Sequence, residues 1–110
     1  MSRPLTAKEY FLVTLLLTGT SHADRLLPCL SEQRVTEMDD GGMGSVQFYP
    51  SGLKAERRFG DDVAEVWLKD EDGMPVLVTL LVDQHGQLYE LDVWKVDFSP
   101  TVNLQRPSFR

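Results

Sequence analysis

Two hydrophobic periods divide this chain. Over residues 7–18 apolar positions recur at helical spacing, and from residue 34 onward they recur at every second position. The clearest period-two run is Leu88 to Pro100, LYELDVWKVDFSP, where Leu88, Leu91, Val93, Trp94, Val96 and Phe98 interleave with Glu90, Asp92 and Asp97. The rest of the fold is expected to cover one face of this run. Val93 and Trp94 cannot both point inward on a regular strand, so a bulge is expected beside them.

Ahead of the strands, Thr6 and Glu9 have the spacing of a capping box, which predicts a helix over 7–18 with Tyr10, Phe11 or Leu12, Val13, Leu16 and Leu17 on its apolar side. Gly19 suits its end. Ser21 is placed to cap a second helix over 23–30, with Leu26, Leu27 and Leu30 inward, although Pro28 opposes its continuation. The same segment has the outline of a signal peptide, with Arg3 and Lys8, an apolar run from Phe11 to Leu17, and Ser21-His22-Ala23. Glu9 in the charged region and the capping box favour a retained helix. No apolar run approaches the roughly 20 residues of a membrane span.

Strands are expected around Val35 and Met38, over 45–49, 63–69 and 74–82, and in the long run itself. Between them stand the turn signals Asp39-Asp40-Gly41-Gly42, Pro50-Ser51-Gly52, Gly60-Asp61-Asp62, Asp70-Glu71-Asp72-Gly73 and Asp83-Gln84-His85-Gly86-Gln87. Leu53 to Phe59 fits an exposed strand or a loop. Consecutive strands with short turns usually pair. The expected fold is therefore α+β: an antiparallel β-meander of four to six strands with two N-terminal helices packed on one face. It forms a single domain over 1–110, with a helical layer at 1–31, a sheet at 32–100 and a tail or edge wrap at 101–110. The sheet face away from the helices would carry Glu65, Trp67, Lys69, Glu90 and Asp92.

Charge narrows the partners. The 110 residues carry a net charge of −6, and the span from Glu32 to Asp97 alone carries −9 against +3 for the two ends. Nucleic acid is a poor partner for such a surface, and a basic protein a better one. Cys29 is the only cysteine, which fits a reducing compartment and a cytoplasmic location; its apolar neighbours Leu26, Leu27 and Leu30 place it in the core.

No catalytic, cofactor-binding or metal-ligating set can be assembled. His22 and His85 stand apart and without a cysteine, against a zinc site. The Asp70, Glu71 and Asp72 turn resembles a calcium loop in charge but not in spacing. Glu90 and Asp92 share one face of a strand and could work as paired carboxylates, with Asp97 as a third member of a small enzyme or metal-dependent site. Surface acids are the better reading, since a small meander offers little room for a pocket.

The segments GDDVAEVWLKDEDGMPV and LLVDQHGQLYELDVWKVDFSP resemble a family of small bacterial proteins of unknown function with an ELD-hydrophobic-WK-x-D-F-S-P pattern near the carboxyl end. Here that pattern runs from Glu90 through Trp94 and Lys95 to Pro100. The resemblance implies no established activity. Small acidic domains of this kind are similar to immunity proteins of bacterial toxin systems, which implies a non-enzymatic binding protein that neutralises a basic toxin domain. The residues expected to meet such a partner are Trp67, Asp70, Glu71, Asp72, Glu90, Asp92 and Trp94. A homodimer pairing an edge strand is a further reading.

Overall fold

The computed structural model describes residues 2–49 and 58–105. A two-residue strand, β1 (Arg3–Pro4), leads into helix α1 (Ala7–Leu17). The Glu9 N–H donates to Thr6 Oγ1, and the Thr6 N–H donates to the Glu9 carboxylate, so the capping box forms as expected. Arg3 pairs with the same carboxylate at 2.8 Å and ties β1 to the start of the helix. Leu12, Val13, Leu16 and Leu17 are buried, while Tyr10 stays exposed.

Helix α2 (Ala23–Leu26) lasts only four residues before tightening into a 3-10 turn, Leu27–Glu32. Pro28, which has no N–H to donate, sits at the start of that turn, where its loss costs nothing. Two expectations fail here. Ser21 does not cap α2; His22 holds the cap position without a side-chain bond. Cys29 is exposed, because the 3-10 turn directs Leu30 inward and leaves its neighbour on the surface.

The remaining strands are β2 (Arg34–Glu37), β3 (Val46–Phe48), β4 (Phe59–Asp70), β5 (Pro75–Asp83), β6 (Leu88–Lys95) and β7 (Leu104–Gln105). They join β1 in one seven-stranded antiparallel sheet of order β1-β2-β3-β6-β5-β4-β7. The expected meander of four to six strands with two N-terminal helices is thereby corrected. Among the described residues the architecture is a curled half-barrel of seven strands with two short helices. Alternation does not register strands of two residues, so β1 and β7 left no trace in the pattern. Nor does it encode that β3 pairs with β6 instead of β4. The stretch from residue 101, expected as a tail or an edge wrap, supplies β7 on the edge of β4. The Pro50-Ser51-Gly52 turn, nearly all of the ambiguous Leu53 to Phe59 segment, and residues 106–110 lie outside the described residues.

Curling follows from irregular pairing. Val82 pairs with Leu88 but Leu81 pairs with Glu90, so Tyr89 is the extra residue of a bulge in β6. That bulge, not one at Val93-Trp94, resets the phase: Leu88, Leu91 and Val93 all face the core and Trp94 faces out. Strand β4 has two further register shifts, between Phe59 and Asp61 and between Asp62 and Ala64. Bulges of this kind increase the local twist and bend a sheet toward closure. At Gly60 a Cβ would stand 2.1 Å from the Asp83 carbonyl oxygen, so only glycine allows β4 to approach β5 there.

The core lies on the concave side. Val76, Val78, Leu80 and Val82 of the interior strand β5 meet Leu91 and Val93 of β6 and the buried face of α1. Burying one such aliphatic side chain is worth about 1.5–3 kcal/mol.

Candidate functional site

The convex face of the sheet bears the residues that alternation turns away from the core. Register aligns them in rows. Trp67 of β4, Leu77 of β5 and Trp94 of β6 form one row. Glu65, Thr79 and Asp92 form the next. Beyond them, Glu90 lies between Leu81 of β5 and Gln47 of β3. The sheet thus sets an aromatic row directly beside an acidic one.

The Trp67 and Trp94 rings lie 6.2 Å apart across Leu77, tilted by 59°. Phe98 then stacks its edge on Trp94 at 6.1 Å. Phe98 reaches that position through a turn in which its N–H donates to the Lys95 carbonyl and its own φ is +62°. A left-handed conformation costs a non-glycine residue on the order of 1–2 kcal/mol. Asp97 braces the turn by accepting from the N–H and hydroxyl of Ser99. The three rings remain 55%, 39% and 67% exposed for Trp67, Trp94 and Phe98. Three large aromatic side chains held together on a sheet surface, with the core complete beneath them, form a contiguous apolar patch of the kind that marks interaction sites.

Beside the rings, burial pushes the half-buried Glu90 carboxyl up to about 7, helped by its hydrogen bond to Asp92 and the negative charge there. The Glu90 carboxyl therefore keeps its proton close to neutrality. Asp97, on the far side of Trp94, takes no part. It is seven residues from Glu90, on the order of 20 Å along an extended chain. Among the described residues no group of three or more His, Cys, Asp and Glu side chains is placed to hold a metal ion.

Asp70 and Asp72 belong to a different structure. The buried Lys95 ammonium donates to Asp70 Oδ2 at 2.8 Å, to Asp72 Oδ2 at 2.5 Å and to the Pro100 carbonyl at 3.2 Å. Asp70, also buried, accepts in addition from the N–H groups of Glu71, Val102 and Asn103. Burial by itself would raise its carboxyl; the Lys95 ammonium and these backbone donors overcome that and hold it far below the usual range. Asp70, Asp72 and Lys95 therefore pin the β4–β5 turn to the chain leading into β7. Of the residues expected to meet a partner, Trp67, Glu90, Asp92 and Trp94 share the convex face. Asp70 is buried away from it, Asp72 is engaged by Lys95, and Glu71 stands exposed in the turn. Sequence reading missed the part Phe98 plays, because nothing in the run marks the turn that swings it back onto Trp94.

On the concave side, two adjoining clefts of about 290 and 220 Å³ open beneath the first turns of α1, the larger toward the β4–β7 edge and the smaller toward β6. Ala7, Phe11, Leu12, Leu68 and Leu104 line the larger one. Lys8 borders both.

The family described as domain of unknown function (DUF6984) matches residues 2–105, and the chain belongs to it. No curated protein and no solved structure matches the chain. Among the described residues no helix is long and apolar enough to cross a membrane.

Proposed function

We propose that this DUF6984 domain is a non-enzymatic protein-binding module, and that its convex sheet face captures a basic partner. The observation that carries the reading is the exposed cluster of Trp67, Trp94 and Phe98 beside Glu65, Glu90 and Asp92. Tryptophan is the commonest anchor of protein interfaces, and truncating such an anchor costs 2 kcal/mol or more, roughly thirtyfold in affinity. Arginine and lysine side chains of a partner gain twice on such a surface, from the faces of the rings and from the adjacent carboxylates. The net charge of −6 adds long-range attraction for the same partner, an attraction that salt screens. In its finer form the reading makes this an immunity-type protein of the bacterial cytoplasm whose partner is a basic toxin domain.

The test is an affinity capture from the native cell at low and moderate salt, with wild type and with the double variant Trp67→Ala and Trp94→Ala run side by side. The reading expects one basic protein held by wild type, released by salt and absent from the double variant. A protein held equally by both forms, or none held by wild type at either salt, overturns it. Retention of a second copy of the chain alone would assign the same face to self-association instead.

A further inference from the structure

The concave side carries a second site. Leu16, Leu12 and residue 8 succeed one another at i, i+4 spacing along the buried stripe of α1. An apolar residue is expected at the amino-terminal end of that stripe, and the chain places Lys8 there. The clefts described above open beneath these first turns of the helix. The larger cleft is walled by Phe11 and Leu12 from α1, Leu68 from β4 and Leu104 from β7. The smaller continues past Lys8 toward Met43, Leu91 and Val93. Together they fall in the range of pockets that take small ligands.

The charged groups at the junction are Lys8 and Glu9. The Lys8 ammonium bonds only a neutral amide oxygen, Asn103 Oδ1, and among the described residues no carboxylate pairs with it. The neighbouring Glu9 is fully engaged by Arg3 and the Thr6 N–H. The larger cleft, apolar except for Lys8 and Gln105, thus keeps an uncompensated cation at its mouth. We infer that this cleft binds a small amphipathic carboxylate of the medium-chain acyl class, its carboxylate on Lys8 in place of Asn103 and its hydrocarbon chain along Phe11, Leu12, Leu68 and Leu104. The site lies on the opposite side of the sheet from the aromatic face and does not depend on the function proposed for it.

Calorimetric titration of the full chain with decanoate, below its micelle-forming concentration, tests this, with decanol as the uncharged probe of equal length. Lys8→Met removes the cation at an exposed position without touching the core, and Ala7→Trp fills the cleft from the exposed first turn. The expected result is saturable one-to-one binding of decanoate, about tenfold weaker for decanol and for Lys8→Met, as the loss of one charged hydrogen bond implies, and lost in Ala7→Trp. Circular dichroism checks that both variants remain folded. Absence of saturable binding overturns the inference, as does binding that either variant leaves unchanged. Replacing Trp67 and Trp94 should leave decanoate binding intact, which separates this site from the convex face.

Discussion

Lysine and aspartate side chains in this protein are divided by burial more than by charge. Lys95 and Asp70 are both inaccessible, and removing the Asp70 charge leaves the buried ammonium only the partly exposed Asp72 carboxylate. Asp70→Asn should lower stability by on the order of 3 kcal/mol, equivalent to more than about 10 °C in Tm for a chain of this size. Adding Lys95→Met should not restore it, because Asp70 also receives the Val102 and Asn103 amides. Denaturant unfolding of the single and double variants measures both. Glu90 works in the opposite sense. Its carboxyl is raised from an ordinary value of 4.5 to about 7, so between those values the folded chain holds a proton that the unfolded chain has released. Stability contributed by Glu90 therefore falls as pH rises through that window and is level above it. Thermal melts from pH 5 to 8 should show a smaller decline for Glu90→Gln than for wild type. An identical decline would show that Glu90 does not titrate there.

Among the elements, the turn from Lys95 to Phe98 stands out because its geometry costs stability and its aromatic ring remains on the surface. A left-handed phenylalanine is kept where the surrounding structure enforces it, and such positions concentrate at functional sites. Phe98→Gly relieves the backbone while removing the ring contact with Trp94, two terms of about 1 kcal/mol each and opposite sign. The expected outcome is a Tm close to that of wild type together with weaker capture of the basic partner. A large drop in Tm would instead make Phe98 a structural residue. The same region shows how far alternation carries. Helix α1, its capping box and the strands at 63–69 and 74–82 were legible, as was the shared face of Trp67, Glu90 and Asp92; the run expected from Leu88 to Pro100 holds as a strand only to Lys95. The aromatic pair was legible only in part, since the phase of Trp94 depends on a bulge at Tyr89 that no local signal marks. Lys95 was illegible as a core residue because its partners lie 23 and 25 positions earlier in the chain. Cys29 was misplaced because a 3-10 turn does not keep the helical phase of its leucines.

At the scale of the whole molecule, the half-barrel separates two surfaces by one sheet. Its concave side holds the core, α1 and the cleft at Lys8, and its convex side holds the aromatic and acidic rows. Strand order could not be read from the chain: β6 is flanked by β3 and β5, and only tertiary pairing brings Gln47 beside Glu90. The resulting face combines rings from β4, β6 and the following turn with carboxylates from β4 and β6. The central claim is that a basic protein covers this face. Oxidative footprinting of the wild-type chain, free and bound to the partner it retains at low salt, tests that claim most directly. Trp67, Trp94 and Phe98 should lose reactivity on binding while the exposed Tyr10 of α1 does not. Unchanged reactivity of the three rings in the complex would contradict it.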